Sequence, residues 1–248
     1  MNMIILKKII VVLGIIAVHH FFAMAFLYEN NLKARVIASN ETKLKKEADL
    51  ILPDFGYKSN ENSSRIITSN DNNIDSLIRF FNQTTENLKN AISGLSENQL
   101  QYKPNEEKWS ISQCLEHIIL SEKMLFEMAK KELDKPAQPS RRADVQQTDE
   151  NLINIIADRG QKFKAPKELQ PSGKYSSADA AITDLIKARQ PVLAYIQNAN
   201  IDDLRDHVND YPTGTVDGYQ NLLFIAAHCA RHIKQIQEIK TDPNFPKK

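Results

Sequence analysis

The chain has 248 residues, of which 42% are hydrophobic and 25% are charged, and its formal net charge is +1. This composition is typical of a soluble globular protein with one full hydrophobic core. The balanced charge argues against nucleic-acid binding, because duplex-binding proteins present a concentrated basic face that displaces counterions.

The N-terminal segment departs from this globular pattern. Lys7 and Lys8 precede an uncharged run over residues 9–28. The run fits a signal peptide, since a basic flank and an apolar stretch lead to a small-x-small cleavage motif at Ala23–Ala25. Left uncut, the run is about long enough to span a bilayer and hold the protein in the membrane. We therefore predict a signal peptide or membrane anchor over residues 1–28, with the rest of the chain extracytoplasmic, either secreted, periplasmic or membrane-anchored.

Residues 29–73 are polar, with an asparagine- and serine-rich run, SNENSS, at 59–64. Sequence of this kind buries too little apolar surface to offset the entropy lost on ordering. We predict a largely disordered tether here. A helical domain over residues 74–240 and a short tail over 241–248 complete the predicted organisation.

Two helices are predicted at the start of this domain. Apolar residues recur at helical spacing from Ile74 to Ile92, and Gly94 closes the first helix. The second helix is predicted to begin after Ser110, which is a suitable N-cap, and to end near Leu133. Its inward stripe consists of Ile111, Cys114, Ile118, Ser121, Leu125 and Met128.

A long segment over residues 134–176 joins the second helix to the third, with a short helix predicted at Asp149–Asp158. Loops of this length are usually functional or disordered. In a bundle, this connection would pass near the mouth of a site between the helices. Its basic side chains are candidates for binding an anionic substrate, although solvated loop charge is the favoured interpretation. These side chains are Arg141, Arg142, Arg159 and Lys162.

The third helix is predicted over residues 177–199, with a bend at Pro191, because proline lacks the amide proton for an intrahelical bond. Residues 206–218 then turn the chain, and the last helix is predicted to begin near Asp217. No segment of any length has the alternating pattern of a strand, so the predicted fold is all-α. Exposed apolar residues of the first or third helix would be available for a homodimer contact.

The last helix carries two histidines, His228 and His232, one helical turn apart. Residues at this spacing are neighbours on the helix surface, so both rings can reach one divalent metal ion. The apolar stripe of the same helix runs beside them, which predicts that the pair faces the core. Two imidazoles hold a metal weakly, and a catalytic zinc site usually has three protein ligands.

The other four histidines of the chain are the candidates for a third ligand. His19 and His20 lie in the N-terminal apolar run and His207 lies in a polar stretch, so His117, on the inward face of the second helix, remains. Three imidazoles from two helices would leave metal positions open for water or substrate. The alternatives are a chance HxxxH pair and, for His117, a hydrogen-bonded core histidine.

The two cysteines, Cys114 and Cys229, lie close to these histidines in the sequence. A thiolate could act as a fourth ligand, or the cysteine side chains could contact the histidines that bind the metal. The two could also form a disulfide if their Cα atoms come within about 7 Å. The alternative is that both are free thiols that pack as small hydrophobic side chains.

The order of these motifs resembles a known family. The motif WSI at 109–111 precedes EH at 116–117, and HCARH at 228–232 precedes QI at 235–236. This pattern resembles the DinB-like superfamily, which includes the YfiT-type bacillithiol transferases. The resemblance covers roughly residues 74–239.

The resemblance implies a four-helix bundle that binds a divalent metal, commonly zinc or nickel. Carried over to this chain, the implied ligands are His117, His228 and His232. It also implies transfer of a small-molecule thiol to an electrophile, and with water in place of the thiol the same site would support hydrolysis. The family's thiols are cytosolic, whereas the N-terminus predicts export. A non-catalytic extracytoplasmic metal- or ligand-binding bundle is therefore the alternative.

Overall fold

The computed structural model describes residues 73–161, 163–211 and 214–247. One compact unit comprises residues 71–210 and 215–248, and it contains all seven α-helices of the described residues.

The N-terminal predictions concern residues outside the described ranges. These predictions are the signal peptide or membrane anchor over 1–28, the tether as far as residue 72, and the two histidines His19 and His20. Among the helices of the described residues, none is both long and apolar enough to cross a membrane.

Over the described ranges the chain forms seven α-helices, two short 3-10 helices and a two-stranded sheet. The α-helices are α1 (Ile74–Ile92), α2 (Glu97–Gln101), α3 (Ile111–Leu133), α4 (Asp149–Ala157), α5 (Ala178–Gln197), α6 (Ile201–Asp206) and α7 (Gly218–Lys240). The strands are β1 (Val208–Tyr211) and β2 (Gly214–Asp217), and the 3-10 helices are Pro139–Asp144 and Lys167–Leu169.

The four long helices surround a shared apolar core. Helix α1 packs against α5 and α7, and α3 packs against the same two helices. Each long helix therefore has two long neighbours, while α4 and α6 cover α7 from outside. The apolar stripes predicted from the sequence supply most of this core, including Leu88, Ile111, Ile118, Leu185 and Ile236. The predicted all-α class is confirmed in that the described residues are mostly helical.

Side-chain caps fix where the long helices begin. Ser110 accepts a hydrogen bond from the Gln113 amide at 3.1 Å, and the Gln113 side chain accepts one from the Ser110 amide at 3.0 Å. This reciprocal capping box confirms the predicted start of α3. Helix α7 begins directly after Asp217, as predicted, and the Asp217 side chain caps it. Asn73, which the sequence placed at the end of the tether, caps α1 instead by accepting from the Ser76 amide at 2.9 Å.

The structure adds a two-stranded sheet of β1 and β2, which the sequence pattern did not reveal. Each strand has four residues, which is too short for alternation to be distinguished from an irregular turn. The short helices α2 and α6 were also missed. Their caps were visible in the sequence. Ser96 and Gln99 form a capping box at the start of α2, and the Asn200 side chain accepts hydrogen bonds from the amides of Asp202 and Asp203 at the start of α6.

Residues 241–247 do not extend away from the domain as a tail. The Tyr102 hydroxyl donates to the Asp242 carboxylate at 2.7 Å, and the Gln99 side chain donates to the Pro246 carbonyl at 2.8 Å. The Phe245 ring packs edge-on against Tyr102, with ring centroids 5.5 Å apart. The C-terminal residues 241–247, which the sequence assigned to a short tail, therefore fold back over α2.

Candidate metal centre

Three histidine rings from two helices meet inside the domain. His117 of α3 and His228 and His232 of α7 are 5%, 9% and 6% exposed. One ring nitrogen of each lies within 4.8 Å of those of the other two. The His232 ring centroid lies 4.6 Å from that of His117 and 4.6 Å from that of His228. The structure thus brings together all three residues that the sequence singled out.

The proton on His117 has a defined position. Its Nδ1 lies 2.8 Å from the Leu169 carbonyl oxygen. A carbonyl oxygen only accepts hydrogen bonds, so Nδ1 carries the proton and donates it. The lone pair is therefore on Nε2, the nitrogen that lies 3.4 Å from the Ser121 hydroxyl. Donation from the outer ring nitrogen to a carbonyl is the usual arrangement for a histidine that binds a metal.

His232 is held in the same tautomer by its own helix. Its Nδ1 donates to the Gln235 side-chain oxygen at 2.9 Å, which leaves the lone pair on Nε2. That Nε2 lies 3.2 Å from Nε2 of His228. The lone pair of His232 Nε2 can accept a proton donated by Nε2 of His228, or both nitrogens can bind one cation. The three imidazoles are therefore compatible with a divalent metal ion, and this donor type suits zinc, nickel, copper and iron.

Burial keeps all three rings uncharged. It lowers the pKa of His117, although the hydrogen bond to Leu169 opposes this shift. Burial also lowers the pKa of His228 well below its usual value, and the nearby His117 and Arg231 add to the effect. The pKa of His232 is likewise far below its usual value, first through burial and then through the neighbouring histidines. Neutral imidazole is the form that coordinates metals.

These shifts predict that the metal-free protein loses stability as the pH falls below about 6.5. The unfolded chain takes up protons on these histidines before the folded protein does, so acid favours unfolding. Each histidine contributes a slope of at most about 1.4 kcal/mol per pH unit. Urea denaturation with chelator present, at neutral pH and at about pH 5.5, measures the effect. A variant with glutamine at all three positions should lose this part of the pH dependence, and an unchanged slope would contradict the prediction.

Two half-buried aromatic rings flank the histidines. The Trp109 ring lies 4.8 Å from His117 and is stacked at 6.1 Å on His232, measured between centroids. The Phe224 ring is stacked on His228 at 6.3 Å with an interplanar angle of 10°. These contacts restrict the orientation of the imidazoles. Trp109 belongs to the WSI motif and directly precedes Ser110, the N-cap of α3. Phe224 was not singled out from the sequence, although it precedes His228 by one helical turn.

The remaining described histidine has a structural position. The His207 ring lies 2.7 Å from the Asp203 carbonyl oxygen and 2.9 Å from the Lys135 carbonyl oxygen. It is 7% exposed and links α6 to the end of α3. Its exclusion as a ligand on sequence grounds agrees with this placement.

Both cysteines are buried free thiols. Burial raises the pKa of Cys114 far above its usual range and raises that of Cys229 to about 12. The group of potential ligands in the described residues contains neither sulfur. The disulfide and fourth-ligand hypotheses were therefore wrong, and the buried-thiol alternative agrees with the structure. That either cysteine supports the three histidines from beside them stays a prediction.

The basic side chains of the long connection are occupied by carboxylates at the protein surface. The solvated-charge interpretation of Arg141, Arg142 and Arg159 therefore agrees with the structure, and the Lys162 side chain lies outside the described residues. Arg141 pairs with Asp144 and Asp210, Arg142 with Asp202 and Asp206, and Arg159 with Glu238.

Comparison with known proteins identifies the family. A sequence profile described as the DinB superfamily matches residues 81–236, which is well over half of the chain and includes all three histidines. The uncharacterized protein YuaE of Bacillus subtilis (strain 168) is 29% identical over 165 residues, covering 64% of this chain and 94% of that protein. No solved structure matches the chain significantly. On the profile match, this protein belongs to the DinB superfamily.

Proposed function

We propose that this protein binds one divalent metal ion, zinc or nickel, through His117, His228 and His232, and that it transfers a small-molecule thiol to an electrophile. The observation that carries the proposal is the meeting of three buried imidazoles, two of which hold their proton on Nδ1 and present Nε2 to the group. Three protein ligands leave at least one metal position open for an exchangeable ligand, as in catalytic zinc sites.

When bound, a divalent cation at such a site supplies Lewis acidity, which lowers the pKa of a coordinating thiol. Residues of the chain set the proton positions, the orientation and the burial of the three imidazoles. Leu169 and Gln235 hold the Nδ1 protons, and Trp109 and Phe224 restrict the ring orientations. Burial excludes most water from the imidazoles, which keeps them neutral and available as ligands.

The reacting sulfur is proposed to come from a second molecule and not from the chain. Burial raises the pKa values of Cys114 and Cys229, so both thiols stay protonated at neutral pH. The thiolate is the nucleophilic form of cysteine, and neither of these sulfurs belongs to the histidine group. A small-molecule thiol that reaches the histidine group would meet this requirement.

Elemental analysis of the purified protein tests the metal, and turnover of a chlorinated aromatic with added thiols tests the reaction. We expect about one divalent metal per chain, as a three-ligand site predicts, and thiol-dependent turnover that chelation abolishes. Protein that takes up no zinc or nickel when these are supplied would overturn the whole proposal. Bound metal without turnover with any thiol tried would reject the transferase and leave a metal-binding protein.

A further inference from the structure

A short segment of the long connection lies along α3 beside His117. We call residues 169–175 the strap. Side chains from one face of α3 bind its backbone: Ser112 accepts from the Tyr175 amide at 2.9 Å, and Gln113 donates to the Pro171 carbonyl at 3.4 Å. The Gln101 side chain also donates to the carbonyls of Gly173 and Tyr175, at 2.9 and 3.0 Å. The strap is thus fixed on the half of α3 that carries His117.

Glu116 makes the densest set of these contacts. Its carboxylate accepts from three successive backbone amides, those of Ser172 at 2.8 Å, Gly173 at 2.7 Å and Lys174 at 3.3 Å. The Ser172 hydroxyl adds contacts of 3.1 and 3.0 Å to the two carboxylate oxygens. The side chain is 9% exposed, so these bonds largely replace its contact with water. Hydrogen bonds to a charged acceptor are about twice as strong as neutral ones.

The strap and the metal centre share one hydrogen bond. The first residue of the strap is Leu169, whose carbonyl accepts the Nδ1 proton of His117 at 2.8 Å. That bond decides which nitrogen of His117 presents its lone pair to the other two rings. The position of the Leu169 carbonyl depends in turn on where the strap is held, because Glu116 binds it only three residues further along.

We propose that Glu116 is a positioning residue for the metal centre. By anchoring the strap, its carboxylate places the Leu169 carbonyl so that the His117 proton stays on Nδ1 and Nε2 is free to bind. The part of this inference that concerns metal affinity rests on the proposed function, whereas the part that concerns the proton does not.

The test uses the full chain with Glu116→Ala and zinc ion as the probe. Heteronuclear NMR of the metal-free protein at neutral pH should show only the Nδ1-protonated form of His117 in the wild type, and both tautomers in the variant. Zinc affinity, measured by competition with a chromogenic chelator, should fall about 10- to 100-fold, as it does when a partner of a metal ligand is lost. Glu168→Ala is the matched control, since it removes an exposed glutamate from the 3-10 helix that ends at Leu169, the first residue of the strap.

A second variant disturbs the strap without replacing any residue of α3. Gly173 has a φ of +88°, and a Cβ there would lie 3.3 Å from Cγ of Gln113, so Gly173→Ala should displace the strap. It should produce the same change in the His117 tautomer, and it decides the question if Glu116→Ala fails to fold.

The result that would overturn the inference is a wild-type tautomer in whichever of these variants folds. Loss of thermal stability with no change in the His117 tautomer would likewise show that the strap is merely structural. A wild-type protein that binds no zinc would refute the proposed function alone, because the tautomer is measured without metal.

Discussion

His232→Ala is expected to abolish stoichiometric metal binding. Its ring lies 4.6 Å from each of the other two, so it is the central member of the group. Without it only His117 and His228 remain, and two imidazoles hold a divalent metal weakly. We expect affinity to fall by more than about 100-fold, since loss of an outer partner of a ligand alone costs up to that much.

Elemental analysis and thermal unfolding with and without zinc measure this effect. A ligand that binds only the folded state at about 100 times its dissociation constant adds roughly 2.7 kcal/mol of stability. The wild type should gain this stabilisation, and His232→Ala should not. His207→Ala is the matched control, because His207 is equally buried but binds backbone carbonyls away from the group. Equal metal content in wild type and His232→Ala would remove the proposed site.

The second large effect concerns the buried ion pair between Arg189 of α5 and Glu122 of α3. These residues are 1% and 2% exposed, and Arg189 Nη2 lies 2.6 Å from Glu122 Oε1. Arg189 also donates to the Phe81 carbonyl at 2.6 Å and the Thr84 hydroxyl at 2.9 Å, both in α1. One guanidinium group thus links three of the four long helices.

We expect Arg189→Met to lower the free energy of unfolding by about 3–5 kcal/mol, the usual cost of breaking a buried ion pair. The variant leaves the Glu122 carboxylate without its partner, and its Oε2 already lacks a hydrogen bond within the described residues. Burial raises the pKa of Glu122 and Arg189 opposes this shift, so the carboxyl of the variant should fold in its protonated form. The loss in free energy of unfolding should therefore be smallest at acid pH, where Glu122 is protonated in the unfolded chain as well.

Urea denaturation of the single and double variants measures the loss. Arg189→Met combined with Glu122→Leu should recover much of the stability, because it removes the unpaired charge. Arg141→Met is the control, since Arg141 forms an exposed ion pair with Asp210 and its loss should leave the free energy of unfolding nearly unchanged. A double variant as unstable as the single one would show that the charge is not the cause.

The sequence by itself determined the long helices and the spacing of the candidate ligands. Helical periodicity and caps such as Ser110 and Asp217 are local signals, because each helical hydrogen bond joins residues four apart. The same locality made His228 and His232 neighbours on one face of a helix. The inward stripe of α3 placed His117 towards the core, and the absence of other suitable histidines made it the third candidate.

Only the tertiary structure decided that α3 and α7 pack with their histidine rings next to one another. It also supplied the Leu169 carbonyl, which is 52 residues from His117 in the chain and carries no sequence signal, since every residue has a carbonyl. The Glu116 anchor and the Arg189 link between helices arise in the same way. These contacts join residues far apart in sequence, and their geometry depends on how whole helices pack, which local periodicity does not encode.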